Sequence, residues 1–306
     1  MSLPAALPCV LLSSNDVPAP GIDLLRTKCD VTIIPASIST REQMLQALPG
    51  HDAVFLASHH IVNSEFLDVA DVPEIKRRGI KVGHTPMVLS AAVAEIAVLL
   101  MLSAARRVHE GRMKLEEGES KSRPQWLLGQ DLQGSTVGIF GLGNIGQAIV
   151  KRLMGFEVGR FIYTGHSRKK AGDELGATFV SLNELLEQSD FIVISATLNN
   201  ETRGLFDDNT FDKMKKTAIF VNVSRGQIVN TDSLVRALRN KKIFAAGLDV
   251  TEPEPLPPGH ELLKLPNVAI TPHIGSATIK TRNDMSIIAA QNILNGLEDK
   301  PLVYPL

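Results

Sequence analysis

The run Gly141-Leu142-Gly143-Asn144-Ile145-Gly146 constrains this chain more than any other feature. It follows an apolar, β-branched stretch at 135–140 and opens a stretch of helical periodicity at 145–153. A glycine-x-glycine-x-x-glycine alone says little, but between a strand and a helix each glycine has a physical task. The first permits a tight turn, the second lets the backbone approach a pyrophosphate, and the third allows close packing of helix on strand. The helix start then offers free N–H groups and the positive end of its dipole to phosphates. The motif points to a dinucleotide held by Gly141, Gly143, Asn144, Ile145 and Gly146.

The rest of the chain fits that frame. Apolar runs at 8–14, 31–35, 53–58, 135–141, 160–165, 190–196, 218–224, 245–250 and 267–272 read as strands, and 80–86 as a further strand leading into a turn. Helical stretches lie at 40–47, 88–107, 145–153, 181–188, 232–240 and 281–297, while the polar stretch 110–123 reads as an exposed connection. Strands alternating with helices imply parallel sheets. The expected fold is α/β: a Rossmann doubly wound nucleotide-binding domain at 87–277, and a smaller flavodoxin-like α/β substrate domain at 1–86 onto which the tail 278–306 packs.

Charge narrows the function. Lys plus Arg number 32 against 33 Asp plus Glu, which leaves no electrostatic footprint for nucleic acid or an anionic membrane. The apolar stretch 87–105 carries Glu95 at its middle, where a bilayer would exact about 2.5–3.5 kcal/mol, so it reads as a buried or subunit-interface helix. The two cysteines, Cys9 and Cys29, are too few for a disulfide framework and lack metal-ligand spacing. No metal and a reducing, cytoplasmic compartment are expected.

The strand after the motif bears on the cofactor. A site for an unphosphorylated ribose usually ends this strand with Asp or Glu. Here Tyr163-Thr164-Gly165-His166-Ser167-Arg168-Lys169-Lys170 supplies hydroxyls and cations and no carboxylate. A planar guanidinium binds a 2′-phosphate bidentately. His166, Ser167 and Arg168 therefore favour NADPH over NADH, unless 168–170 is merely a solvated charge run.

Three further segments end apolar strands: Val221-Asn222-Val223-Ser224-Arg225-Gly226, Asp249-Val250-Thr251-Glu252-Pro253-Glu254-Pro255 and Thr271-Pro272-His273-Ile274-Gly275-Ser276. With the glycine-rich loop, their order and spacing resemble the D-isomer-specific 2-hydroxyacid dehydrogenase family over about residues 8–297. The wording is most similar to the branch that reduces glyoxylate and hydroxypyruvate. The resemblance implies NADPH-dependent hydride transfer to a small 2-keto acid, giving glycolate or D-glycerate. It implies Arg225, Glu254 and His273 as the catalytic set: Arg225 binds the substrate carboxylate and carbonyl, His273 is the acid/base, and Glu254, rather than its neighbour Glu252, orients the imidazole. By the same resemblance Asp249 bonds the nicotinamide carboxamide, and Thr197, Val223 and Gly275 line the nucleotide. Ser276 touches substrate, the helix at 87–107 forms a homodimer, and Trp126 reaches the neighbouring subunit's site.

One part of the family pattern is missing. Phe66-Leu67-Asp68-Val69-Ala70 runs directly into Asp71-Val72-Pro73-Glu74, where members of the family place a strand and a loop whose N–H groups clamp the substrate carboxylate. The junction at 70–71 implies a shortened first domain and impaired turnover. It leaves open a non-catalytic dinucleotide-binding form, or a dimerising protein similar to the C-terminal binding protein corepressors.

Overall fold

The computed structural model describes residues 6–35, 46–57, 80–119 and 123–306. The chain divides into two units, Met1–Leu89 with Ala277–Leu306, and Ser90–Ser276. The junction at 70–71 and nearly all of the expected helix at 40–47 lie outside the described residues.

In the first unit, strands β1 (Cys9–Leu12), β2 (Asp30–Ile33) and β3 (Ala53–Phe55) run parallel in the order β2-β1-β3. Val10 pairs with Val31 on one side and Ala53 on the other. Val10, Leu11 and Leu12 are fully buried, as a central parallel strand covered on both faces requires. The order 2-1-3 is the start of the flavodoxin-like order. The helix Ala19–Arg26 packs on the C-terminal helix Ile279–Leu297 around Ile22, Leu25, Ala290 and Leu294. A Cβ on Gly21 would stand 2.6 Å from the Ser286 carbonyl oxygen, so only glycine permits that approach.

The expected strand at 80–86 is corrected to an isolated antiparallel bridge between Gly83 and Pro305. Its backbone bonds go to the C-terminal tail: His84 N–H to the Tyr304 carbonyl (3.0 Å) and Leu306 N–H to that of Val82 (2.9 Å). The Asn292 amide donates to the His84 carbonyl at 3.0 Å and accepts from Tyr304 N–H at 3.1 Å. With these groups already paired, the segment joins no described sheet.

The second unit holds a seven-stranded parallel sheet: β4 (Thr136–Phe140), β5 (Arg160–Thr164), β6 (Ala177–Phe179), β7 (Phe191–Ile194), β8 (Ile219–Asn222), β9 (Ala245–Leu248) and β10 (Val268–Ile270). Their order is β10-β9-β8-β7-β4-β5-β6. From β4 the chain moves outward to β5 and β6, then returns to place β7 on the other side of β4. The switch point, where open α/β sheets bind ligands, is therefore at the carboxyl ends of β4 and β7.

β7, β8 and β9 are buried throughout. Phe140, Phe206, Phe211 and Phe220 interlock at ring separations of 5.2–5.4 Å, a spacing that favours tilted aromatic pairs. The apolar helix Ser90–Ala105 covers β8, β9 and β10, and Gly247 admits Leu100 where a Cβ would come within 2.8 Å of it. Glu95 stays at the surface, 3.1 Å from Arg152. Among the described residues no helix is long and apolar enough to cross a membrane.

The stretch expected as a connection at 110–123 instead carries the helix Val108–Glu116, which has no buried residue. Arg107, its left-handed N-cap, pairs with Glu110 at 2.7 Å, and Arg112 and Glu116, on one helical face, pair at 2.9 Å.

Candidate active site

The glycine motif turns out of β4 into the helix Asn144–Leu153. Gly141 has φ +96°, a region that favours glycine, and its N–H reaches the Thr164 carbonyl at 2.9 Å. A Cβ here would fall 2.6 Å from Ala196 Cα, in the segment that leaves β7. At Gly146 a Cβ would strike the Gly141 carbonyl oxygen at 2.5 Å. Gly143 is different. It is the helix N-cap, has no side-chain cap, and a Cβ on it would meet nothing within 4 Å. The open side of Gly143 and the uncapped N–H groups of Asn144 and Ile145 form a cradle that a Cβ would begin to fill. The residues fit a dinucleotide pyrophosphate.

Beyond β5 the segment 165–170 is exposed. The buried Tyr163 hydroxyl fixes its far end by accepting from Lys169 N–H at 2.8 Å and donating to the Lys169 carbonyl at 3.3 Å. Arg168 donates to Asp173 Oδ1 from two nitrogens, at 2.7 and 3.3 Å. That hydrogen bond and the Asp173 charge raise the Arg168 pKa further. His166 Nδ1 lies 3.8 Å from Glu201, with both side chains exposed. Ser167 is exposed, as is Thr197, whose carbonyl accepts from the Thr202 hydroxyl at 2.9 Å.

The loops after β8, β9 and β10 bring Arg225, Glu254 and His273 to one region. His273 Nδ1 and Glu254 Oε1 are 2.5 Å apart, so the imidazole meets Glu254 and not Glu252. Burial pushes the Glu254 carboxyl up, but the bond and charge of His273, the Thr251 N–H and the Arg225 charge together hold it below the usual carboxylate range. Arg225 is exposed, and one guanidinium nitrogen donates to the Ser224 carbonyl at 2.8 Å.

Two buried side chains build these loops. Asn222, 1% exposed, accepts from Ser224 N–H at 3.0 Å and donates to the Arg225 carbonyl at 2.9 Å, pinning the peptide units on both sides of Ser224–Arg225. Asp249, 2% exposed, accepts from the Thr271 hydroxyl (2.7 Å), Ile274 N–H (2.9 Å) and Gly275 N–H (2.8 Å). Its carbonyl accepts from His273 N–H at 2.8 Å. These bonds hold His273 at φ +53°, a left-handed conformation that costs a non-glycine residue about 1–2 kcal/mol. Asp249 thus anchors the His273 loop from inside. Gly275 is buried against its carboxylate, Ser276 is half-buried in the same loop, and Val223 is buried beyond β8. Trp126 is half-buried, with its backbone N–H on the Arg123 carbonyl at 3.1 Å.

Sequence reasoning missed Asn222 as a support for Arg225 and Asp173 as a partner of Arg168. The Asn two residues before Ser-Arg was a readable signal, because short amides often bond backbone two residues on. Nothing local flagged Asp173.

Residues 98–275 match the family model for the D-isomer specific 2-hydroxyacid dehydrogenase NAD binding domain. The chain is 52% identical to the human glyoxylate reductase/hydroxypyruvate reductase over 238 residues, covering 77% of this chain and 73% of that protein. It is 40% identical to the glyoxylate reductase of Thermococcus kodakarensis over 301 residues, covering 91% and 90% of the two chains. Among solved structures, the TT0316 protein from Thermus thermophilus superposes with a TM-score of 0.88 at 37% identity, covering 97% of this chain and 99% of that one.

Proposed function

This chain belongs to the D-isomer specific 2-hydroxyacid dehydrogenase family, and on that premise we propose that it reduces glyoxylate and hydroxypyruvate to glycolate and D-glycerate, with NADPH preferred over NADH. The observation that carries the reading is the 2.5 Å contact between Glu254 and His273, in one region with Arg225 and in the same unit as an open glycine cradle. The names of the relatives supply the substrate pair.

Gly143, Asn144 and Ile145 would hold the pyrophosphate, and Arg168 with Ser167 and His166 would receive the 2′-phosphate. When bound, the nicotinamide supplies the hydride. Arg225 binds the substrate carboxylate and polarises the ketone through its permanently charged fork. Glu254 holds Nδ1 of His273, which leaves Nε2 as the nitrogen that delivers a proton to the carbonyl oxygen as it gains charge. Val223, Thr197 and Gly275 line the nucleotide, and Ser276 adds a hydroxyl beside the His273 loop.

The chain is proposed to work as a homodimer in the cytoplasm. The exposed apolar residues Leu99, Val108, Leu115 and Leu128 support pairing, with Trp126 in the same stretch. The sequence at 66–74 supports reduced turnover, because Arg225 is left to hold the substrate carboxylate without the loop that the family supplies. Purified protein given hydroxypyruvate or glyoxylate tests the whole reading. Oxidation of NADPH faster than NADH supports it, and sedimentation gives the oligomeric state. A folded sample that binds NADPH without oxidising it would make the chain a non-catalytic form.

A further inference from the structure

We propose that Asp173 sets how strongly this chain prefers NADPH, by competing with the 2′-phosphate for the Arg168 guanidinium. The inference deepens the cofactor reading above and rests on it.

Within the segment 165–170, Arg168 is the residue that offers a planar fork, and the structure shows that fork in use. Both its Nε and a terminal nitrogen address a single oxygen of Asp173, at 3.3 and 2.7 Å. The pair is exposed, at 69% and 52% of the side-chain surface. Its backbone ends are fixed unequally. Lys169, directly after Arg168, is clamped through its own N–H and carbonyl by the buried Tyr163 hydroxyl. Asp173 lies on the short helix Lys170–Glu174, which Tyr163 also seats: a Cβ on Gly172 would come within 2.5 Å of the Tyr163 ring. Tyr163 therefore places both partners, and Asp173 then fixes the direction of the arginine.

A phosphate monoester brings a charge of about −1.5 to −2 near neutrality. To meet it with both nitrogens, Arg168 must release Asp173. A ribose without the phosphate makes no such demand. Asp173 thus weakens NADPH binding and leaves NADH binding untouched, so the site accepts both cofactors more evenly than its basic sequence suggests. A carboxylate that discriminates against 2′-phosphate usually stands at the strand end itself; here the same sign of charge acts from the following helix, through the arginine.

The test is calorimetric titration of the full chain with NADPH and with NADH, without substrate, for wild type, D173N, R168Q and the double variant. Breaking an exposed pair of this kind should tighten NADPH about 1.5- to fivefold in D173N, with NADH unchanged. R168Q should weaken NADPH alone, and D173N should have no further effect in the R168Q background. NADPH affinity that is unchanged or weakened in D173N, while R168Q still loses it, overturns the competition and leaves the cofactor reading standing. An equal gain from D173N with and without Arg168 also overturns it, because the carboxylate would then repel the phosphate directly. If wild type and R168Q bind both nucleotides alike, the 2′-phosphate reading itself falls and this inference falls with it.

Discussion

The loop after β10 and the loop after β5 leave the carboxyl edge of the same sheet, and they are held in different ways. The first is wired inward. The Asp249 carboxylate is buried and accepts three hydrogen bonds, and a residue of the loop it anchors, His273, sits in the left-handed region. The second is wired outward. Apart from the Tyr163 hydroxyl, its described side-chain restraints are solvent-facing charge pairs. Proton transfer demands a fixed geometry, and positioning errors near 1 Å cost a hundredfold in rate. Binding a charged group at a surface only needs a charge within reach. The two loops have the stiffness their proposed tasks require.

The largest effect should come from the loop after β10. His273→Gln should lower kcat on the order of 10²–10⁴-fold while nucleotide affinity is kept; a small loss in steady-state turnover would remove His273 from the proton path. Glu254→Gln should cost less, on the order of tenfold in kcat. It also has a pH signature. The Glu254 carboxyl is lowered from 4.5 in the folded chain, so its contribution to stability is complete above that value and is lost as pH falls through the lowered one. Acid unfolding curves of wild type and Glu254→Gln should therefore differ above pH 4.5 and draw together as pH falls progressively below it.

Asp249→Asn places an amide donor among groups that already donate, and leaving one of them unsatisfied costs about 1–3 kcal/mol. A melting temperature lower by several degrees, together with a reduced kcat, would fit the inward wiring. Tyr163→Phe should be the mildest change, with about 1 kcal/mol or less lost because Lys169 is open to water. Its mark should be a changed ratio of NADPH to NADH affinity. If its melting temperature fell as far as that of Asp249→Asn, the contrast between the loops would be lost.

The strands of the second unit were readable because a parallel sheet covered on both faces needs nearly continuous apolar runs, and FIVI and IFVN are such runs. β6 was not, since ATF is three residues long with two of them exposed. The helix Val108–Glu116 was not, because it carries no buried apolar stripe. Residues 80–86 have the composition of a strand, but pairing depends on what lies alongside, and the C-terminal tail lies there. At the site, the resemblance to the family pointed to Arg225, Glu254 and His273, and Glu254 meets the His273 imidazole in the fold. The use made of Asp249 arises from chain segments meeting in space, which local sequence does not encode.

The three glycines of the motif divide the consequences of mutation. A side chain at Gly141 would drive into Ala196, wedging apart the two strands that flank the switch point, and one at Gly146 would lift the helix from its turn. Such variants would be lost as protein before their nucleotide affinity could be measured. Gly143→Ala meets nothing in the protein. It is the position where a nucleotide-free yet intact fold can be made, and so the control from which any non-catalytic duty of this chain could be separated from its chemistry.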